Sequence, residues 1–353
     1  MIDKQKDTSF DAIVEAQKIA FAPVVFQATM ALRRLGILNL ISKNRAGLSI
    51  SEIAEQLSIS EYGIDVLLEM AESSDVVLRN EEGKYKITKT GFFLNSHKMT
   101  TVNMDFINDV CYQGLFHLEE AIKTGKPEGL KELGNWPTLY EGLSQFNPKA
   151  KKSWFDFDHY YSDDAFDEAL NIVFEEEPKW ILDIGGNTGK WSIKCCQYDE
   201  DVKMTILDLP GQLNVALANA KEAGFENRIL GQEVDLLLEN PAIPKGADAI
   251  WMSQFLDCFS KPEIIQILKA CALAMNSETK VYIMETFTDR QEFDNAKYCL
   301  RATSLYFTAM ANGNSKMYRA EELYECIEAA GLKVIEDTDQ VGEFHTILTC
   351  TKK

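Results

Sequence analysis

The second half of the chain alternates short apolar segments with helical ones, and this alternation constrains the fold more than any other feature of the sequence. Helical segments separate the first five of these, an order that requires right-handed crossovers between parallel strands. It predicts an α/β fold with a mostly parallel, seven-stranded sheet whose ligands bind at the carboxyl ends of its strands. The predicted strands are 180–184, 204–207, 229–234, 249–252, 281–284, 333–335 and 346–350.

The start of the chain predicts a different, mainly helical domain. From Phe10 to about Leu40, apolar residues recur at helical spacing. Polar residues are too few for a helix that water surrounds on all sides, so this segment is expected to pack against a second copy of the chain. The sequence therefore predicts a homodimer formed through the N-terminal domain.

The pattern that follows this segment is typical of a winged helix. Ser49 and Glu52 have the spacing of a capping box, and a second helix begins near Ser60. A hairpin over 76–79 and 84–87 comes next. One interpretation of such a module is DNA binding, but the second helix carries three acids and no base over 61–70. A packing and dimerisation unit is the favoured interpretation.

An acidic stretch at 175–178 marks a domain boundary. The sequence predicts three parts: a helical and winged-helix dimerisation domain over 1–100, a helical linker over 101–178, and the α/β domain over 179–353. The linker is rich in aromatic residues, which suit either a layer of core or one wall of an apolar pocket. The sequence leaves both interpretations open.

The composition excludes several classes of protein. The formal charge of −19, without a basic block, argues against nucleic acid as a partner. The eight cysteines lack the spacing of a zinc site, so no metal is expected, and without a signal peptide they are interpreted as reduced thiols of a cytoplasmic protein. No apolar run approaches the roughly 20 residues that span a bilayer, so a membrane protein is not expected.

The first predicted strand of the sheet ends in an acid and a glycine turn. The acid is Asp183, and the glycines stand at Gly185, Gly186 and Gly189. A nicotinamide enzyme would have glycines at G-x-G-x-x-G spacing, which this turn does not match. A carboxylate followed by a looser glycine turn suits a ligand with an amino-acid end, because the acid can hold an ammonium group directly or through water. S-adenosylmethionine has such an end.

Acids also end the next two predicted strands. Asp208 stands where a carboxylate can accept hydrogen bonds from two ribose hydroxyls, and Asp235 stands where an adenine amine would lie. The alternative interpretation is a set of unrelated, solvent-facing aspartates, and it applies most to Asp235. Three acids at three successive strand ends favour the cofactor interpretation.

At this point the chain resembles a known family, the S-adenosylmethionine-dependent O-methyltransferases that include plant caffeate and flavonoid enzymes and bacterial polyketide-tailoring enzymes. After the fourth strand that family has roughly xxHDWSD and then ILKxC, whereas residues 255–261 read FLDCFSK and 267–271 read ILKAC. The resemblance covers nearly the whole chain and implies a Rossmann-like domain that holds the cofactor. The predicted cofactor contacts are Asp183, Gly185, Gly186, Gly189, Asp208, Leu209, Asp235, Leu236, Met252 and Ser253.

The chain departs from this family at the residue that removes a proton. The resemblance implies a histidine where Asp257 stands, a first supporting glutamate retained as Glu285, and a second that falls at Met317 and is absent. Asp257 can itself be the base, especially if burial raises its pKa. His159 can serve instead, or no base is needed because the acceptor is an amine, thiol or carbon atom. A structural alternative is that Asp257 only caps the following helix near Ser260.

The predicted function is methylation of a small molecule, most simply at an oxygen of a hydroxylated aromatic or apolar compound. The alternatives are a regulator or sensor that binds the cofactor without turnover, transfer to N, S or C, and a nicotinamide oxidoreductase, which the glycine spacing disfavours. The residues predicted to contact the acceptor are Cys111, Phe116, Trp154, Phe307 and Met310.

Overall fold

The structure is a computed structural model that describes residues 8–353. The chain divides into two compact units, the first ending at Asp105 and the second covering Phe106–Lys353. Residues 106–178, which are most of the predicted linker over 101–178, belong to the same compact unit as the sheet. The division into three parts, with a linker that contributes to the substrate pocket, stays a prediction.

The first unit is mainly helical, as predicted. Its second half contains a two-stranded antiparallel hairpin of β1 (Val77–Arg79) and β2 (Tyr85–Ile87). No helix in the part of the chain that the structure describes is long and apolar enough to cross a membrane. The helices are α1 (Ser9–Arg34), α2 (Ile37–Ser42), α3 (Ile50–Leu57), α4 (Glu61–Ser73), α5 (Lys89–Ser96) and α6 (Lys98–Phe106).

Local side-chain hydrogen bonds explain where these elements begin. Ser49 and Glu52 form the predicted capping box of α3, and the Ser60 hydroxyl accepts the N–H of Gly63 at the start of α4. In the hairpin turn, the Asn80 side chain accepts two backbone N–H groups, and Gly83 has a φ of 76°. The order of helices and hairpin is the predicted one, and the designation as a winged helix stays a prediction.

The long helix α1 exposes much of its apolar surface. Only Thr29, Met30 and Leu32 are buried in this helix. Phe10, Ile13, Ile19, Phe21 and Val24 are all more than half exposed, with Ile19 at 77%. Exposed apolar surface of this extent is typical of an interaction surface.

The second unit consists of the sheet and the helices around it. Two π-helical segments, Ile107–Cys111 and Phe307–Ala311, lie in its helical layer. Such segments are often found at functional sites. The helices are α7 (Leu118–Thr124), α8 (Leu139–Gly142), α9 (Pro148–Ser162), α10 (Phe166–Val173), α11 (Lys190–Tyr198), α12 (Pro210–Glu222), α13 (Lys261–Ala274), α14 (Asp294–Tyr306) and α15 (Ala320–Ala329).

The seven predicted strands form one sheet with the order β5-β4-β3-β6-β7-β9-β8. The first five are parallel, β9 pairs antiparallel with β7, and β8 pairs antiparallel with β9, so β9 alone of the seven runs in the opposite direction. The order reverses between β3 and β6, and a crevice at this point is the usual ligand site of such sheets. The strands are β3 (Trp180–Ile184), β4 (Lys203–Asp208), β5 (Ile229–Glu233), β6 (Ala249–Ser253), β7 (Lys280–Glu285), β8 (Leu332–Val341) and β9 (His345–Lys352).

Apolar layers cover both faces of the sheet. One layer packs the sheet against α13 and α15, and the other packs it against α10, α11 and α12. A third, aromatic-rich cluster joins α8, α9 and α14 to both π-helical segments. Within the second unit, the aromatic residues of 106–178 are therefore core for the most part.

Candidate functional site

Asp183 lies in the interior beneath the glycine turn that ends β3. It is 2% exposed, and its Oδ2 accepts the Ser192 hydroxyl at 2.6 Å. Burial raises the pKa of Asp183 to about 7, with a further contribution from Asp208. Its carboxyl group supports the turn from below, and its predicted contact with a cofactor stays a prediction.

The glycines of this turn are required by close packing. Gly185 has a φ of 70°, and a Cβ there would lie 2.2 Å from the Phe255 ring. Gly186 lies directly over Asp183, because a Cβ would approach its Oδ2 to 2.9 Å. Gly189, with a φ of 77°, precedes the first turn of α11. The turn therefore brings bare backbone to the carboxyl end of β3.

The carboxylate of Asp208 is held at the end of β4 by backbone groups. Its Oδ2 accepts the N–H of Asn187 at 2.8 Å, and its Oδ1 accepts the N–H of Leu209 at 2.7 Å. Burial raises the pKa of Asp208 to about 6, although both hydrogen bonds favour the charged form. Each oxygen keeps a lone pair, so the group can accept hydroxyl donors such as those of a ribose.

The other predicted cofactor residues follow β5 and β6. Asp235 is exposed, and its Oδ1 accepts the N–H of Leu237 in a local turn, while Leu236 is buried in the core. Met252 is buried in the same core, and the Ser253 hydroxyl finds no hydrogen-bond partner among residues 8–353. The predicted contacts of these four residues with the cofactor stay predictions.

Asp257 lies in a short 3-10 turn, Leu256–Cys258, directly after β6, and is 8% exposed. The Cys258 thiol lies 3.4 Å from its Oδ1. Burial raises the pKa of Asp257 to about 7, and the Asp158 carboxylate adds to this rise. Asp257 does not cap the next helix, because Ser260 and Glu263 form the capping box of α13.

Glu285, at the end of β7, holds this turn. Its Oε1 accepts the N–H groups of Phe255 and Leu256 at 3.1 and 2.8 Å. Its Oε2 has no hydrogen-bond partner within the described chain. Burial raises the pKa of Glu285 well above its usual range, as does the charge of Asp257. The buried carboxyl groups of Asp257 and Glu285 therefore lie at the carboxyl ends of the neighbouring strands β6 and β7 and line one small cavity.

His159 lies beside the glycine turn. Its Nε2 is 3.5 Å from the Thr188 hydroxyl, and its Nδ1 is 3.5 Å from the Asp163 carboxylate. Asp163 also pairs with Lys190 at 2.6 Å. One ring nitrogen therefore faces Thr188 in the glycine turn, and the other faces Asp163 at the end of α9. These contacts do not support the use of His159 as a base, which stays a prediction.

Two residues that the sequence analysis did not single out also reach the site. Asp158, on α9, accepts the Asn187 side-chain amide at 3.0 Å. Asn187 stands inside the glycine turn with a φ of 51°, a conformation that asparagine tolerates better than most residues. An asparagine inside a glycine-rich turn was the sequence signal that could have identified Asn187, because asparagine is one of the few other residues that tolerate a positive φ. Asp158 follows Trp154 by one helical turn, which places both on one face of α9.

Four of the five predicted acceptor contacts lie in the aromatic-rich cluster. Cys111, Trp154, Phe307 and Met310 are buried there, and the Trp154 indole N–H donates to the Tyr306 hydroxyl at 2.8 Å. The fifth, Phe116, is 81% exposed and lies outside that cluster. Its side chain points to solvent because the 3-10 helix that carries it buries Gly114 instead.

Two family models match the chain. A Dimerisation2-like domain matches residues 14–85, and an O-methyltransferase domain matches residues 147–333. The second match spans more than half of the chain and contains the glycine turn, Asp208, Asp257 and Glu285.

Individual proteins of known name are similar over most of their length. O-methyltransferase SfmM3 of Streptomyces lavendulae is 20% identical over 90% of this chain and 94% of its own. Bacteriochlorophyllide d C-20 methyltransferase of Chlorobaculum tepidum is 23% identical over 81% of each chain. The crystal structure of NcsB1, an O-methyltransferase from neocarzinostatin biosynthesis in complex with S-adenosylmethionine and 2-hydroxy-5-methyl naphthoic acid, superposes with a TM-score of 0.69. It is 21% identical and covers 92% of this chain and 96% of its own.

Proposed function

The chain belongs to the O-methyltransferase family, and from this premise we propose that it transfers a methyl group from S-adenosylmethionine to a hydroxylated aromatic small molecule, with Asp257 as the base. The observation that carries the proposal is the position of Asp257, a buried carboxyl group at the switch point of the sheet. Glu285 fixes the turn that holds it. A base with a pKa near neutrality is suited to accept a proton under physiological conditions.

The residues around the glycine turn fit S-adenosylmethionine. The Asp208 carboxylate, fixed by two backbone N–H groups, suits the ribose hydroxyls. The buried oxygen atoms of Asn187 and Ser253 find no partner in residues 8–353, which is expected where a ligand supplies the missing groups. When bound, the cofactor supplies a methyl group activated by its sulfonium.

The residues of the chain must orient the methyl acceptor and remove its proton. We expect an aromatic acceptor to pack against the apolar cluster around Trp154 and Tyr306, which would orient it and exclude water from the reaction. Asp257 takes the hydroxyl proton as the acceptor oxygen forms its bond to carbon. Glu285 is a positioning residue, since its hydrogen bonds hold the backbone ahead of Asp257.

Transfer to a carbon atom is the second candidate. It is favoured by the replacement of the family histidine with Asp257, and one relative is named for methylation at a carbon position. A regulator that binds the cofactor without turnover is the third.

The test of the proposed function is a turnover assay with S-adenosylmethionine and a panel of hydroxylated aromatic compounds. We expect formation of S-adenosylhomocysteine together with an O-methylated product. Product methylated at carbon would favour the second candidate. Tight cofactor binding without any product across the panel would contradict an O-methyltransferase and favour the regulator.

We also propose that the chain is a cytoplasmic homodimer that associates through α1. The exposed apolar residues of this helix support the dimer, as does the match of residues 14–85 to a Dimerisation2-like domain. Light scattering should give twice the 39.9 kDa mass of the chain. A monomer at micromolar concentration would contradict the dimer.

A further inference from the structure

The Asn187 side chain links the glycine turn to α9 and leaves one buried atom unpaired. Its amide Nδ2 donates a hydrogen bond to Oδ2 of Asp158 at 3.0 Å. Its Oδ1 is buried and has no hydrogen-bond partner in residues 8–353. Because a buried oxygen without a partner is destabilising, this atom indicates a ligand that donates a hydrogen bond to it.

Asp158 fixes the direction in which this oxygen points. A carboxylate only accepts hydrogen bonds, so the amide must turn its NH2 group toward Asp158 and its oxygen away from it. The backbone of Asn187 is held as well, because its N–H donates to Oδ2 of Asp208 at 2.8 Å. The oxygen is therefore held in one orientation before any ligand binds.

The group that meets this oxygen can be inferred from the hydrogen-bond donors of S-adenosylmethionine. The cofactor carries the ribose hydroxyls, the adenine amine and the ammonium group of its amino-acid end. In the proposed function, Asp208 accepts the ribose hydroxyls. The predicted adenine contact, Asp235, follows β5, and β4 separates β5 from β3 and its glycine turn. The ammonium group is the donor that remains for Asn187.

The charges around Asn187 also favour an ammonium group. Asn187 is hydrogen-bonded to two carboxylates, Asp158 through its side chain and Asp208 through its backbone. Within residues 8–353, neither carboxylate forms an ion pair with a lysine or an arginine. The His159 ring lies 4.0 Å from Asp158, but it also faces Asp163. Two carboxylates without a lysine or arginine partner attract a cation and repel an anion.

Asp183 is the other residue expected to hold the ammonium group. It is 2% exposed beneath the turn, and its Oδ2 accepts the Ser192 hydroxyl at 2.6 Å. Asp183 thus has a partner inside the protein, whereas Oδ1 of Asn187 has none among the described residues. The unpaired oxygen of Asn187 is therefore the better candidate for a direct contact.

We propose that Asn187 is a further cofactor-binding residue, whose Oδ1 accepts a hydrogen bond from the ammonium group of S-adenosylmethionine, and that Asp158 is the residue that positions it. The inference rests on the proposed function, because it takes S-adenosylmethionine as the ligand. A hydrogen bond from an ammonium group is charge-assisted and about twice as strong as a neutral one. Asn187 and Asp158 therefore select cofactors that carry an α-amino group, and they tie α9 to the bound cofactor.

The experiment measures the affinity of the full chain for S-adenosylhomocysteine and for its deamino analogue by calorimetric titration. The analogue has a hydrogen atom in place of the α-amino group and keeps the adenosine, the sulfur and the carboxylate. We expect the wild type to bind S-adenosylhomocysteine at least about tenfold more tightly than the analogue.

Asn187→Gly tests the direct contact. The change removes the side chain, and glycine adopts the φ of 51° at this position without strain. It should weaken the binding of S-adenosylhomocysteine by about tenfold and the binding of the analogue by less than about twofold. A purely structural role of Asn187 would weaken the binding of both ligands equally.

Asp158→Asn tests the positioning role. The new amide can donate to Oδ1 of Asn187 and so compete with the ammonium group for this atom. It should weaken the binding of S-adenosylhomocysteine by about threefold or more and leave the binding of the analogue unchanged. Asp156→Asn is the matched control, because it removes a charge from the same helix, where Asp156 pairs with Lys152. It should change neither affinity.

An equal loss of affinity for both ligands in Asn187→Gly, unchanged binding of S-adenosylhomocysteine in this variant, or a wild type that binds both ligands alike would overturn the inference. Titration of the wild type with S-adenosylhomocysteine comes first. No binding at that step contradicts the proposed function itself, whereas binding that does not depend on the amino group contradicts only the role of Asn187.

Discussion

The carboxylate of Glu285 accepts the backbone N–H of Leu256 at 2.8 Å, so the end of β7 holds the turn that follows β6. The same oxygen accepts the N–H of Phe255. Asp257 therefore stands on a segment whose backbone is fixed by a buried side chain from the neighbouring strand.

This arrangement predicts that Glu285→Ala destabilises the protein. The change leaves the buried N–H of Leu256 and the partly buried N–H of Phe255 without an acceptor, and each unpaired buried group costs up to about 1–3 kcal/mol. Glu285→Gln keeps an oxygen that can accept both, so it should cost much less. Urea unfolding of the three proteins measures the difference. Equal stability of the alanine and glutamine variants would show that these hydrogen bonds contribute little.

A second prediction concerns the pH dependence of turnover. Asp257 acts as a base only when ionised, so kcat/KM should rise with pH and level off above about 7, the pKa to which burial raises this group. Asp257→Asn should lower kcat by about tenfold or more and leave cofactor affinity unchanged. Asp294→Asn, which removes a charge at the surface, is the control. Unchanged turnover in Asp257→Asn would remove this residue from the mechanism.

The glycine turn gives a third prediction. Gly185→Ala adds a Cβ that would lie 2.2 Å from the Phe255 ring at a φ of 70°, so the turn must shift and cofactor affinity should fall. Gly224→Ala is a matched control, because its φ is 80° and nothing lies within 4 Å of its Cβ. The control should show only the backbone strain of about 1–2 kcal/mol. Equal cofactor affinity in both variants would contradict a close fit at Gly185.

His345 provides a fourth prediction, on stability. It is 1% exposed, neither ring nitrogen has a hydrogen-bond partner in the described structure, and burial lowers its pKa to about 4. As pH falls, His345 is protonated in the unfolded chain near pH 6.5 but in the folded chain only near pH 4. The folded state therefore loses stability relative to the unfolded state as pH falls from about 6.5 to 4. The loss is on the order of 3 kcal/mol.

The check is to compare the wild type with His345→Gln, which does not titrate. Other buried acids with raised pKa values, Asp183 and Asp208, change stability in the opposite sense over part of this range, so only the difference between the two proteins is informative. We expect that difference in unfolding free energy to shrink as pH falls. A constant difference would show that His345 is hydrated or paired in solution.

The sequence predicted the sheet well because buried parallel strands are continuous apolar segments. It predicted β8 poorly, as 333–335, whereas the strand spans Leu332–Val341. The part of β8 that was not predicted contains Glu336, Asp337 and Asp339. These polar residues lack the apolar pattern by which strands were predicted, as is common for a strand at the edge of a sheet. Arg290 pairs with the two aspartates, a contact between distant segments that no local pattern contains.

The candidate site was predictable in part for a related reason. Acids and glycines at strand ends are visible in the sequence because the parallel sheet brings all such ends to one edge. Asp158 was missed because it reaches the site from a helix outside the sheet, and its partner Asn187 is distant in sequence. Phe116 was included for its aromatic character, although exposure depends on how its helix packs.

The central claim, that the glycine turn and Asp208 hold S-adenosylmethionine, is tested most directly by calorimetric titration of the purified chain with S-adenosylmethionine and S-adenosylhomocysteine, with NAD as the control. We predict saturable binding of the first two in the micromolar range and none of NAD, because the glycine spacing does not fit a dinucleotide. Binding of NAD, or of none of the three, would contradict the assignment of this turn as the cofactor site.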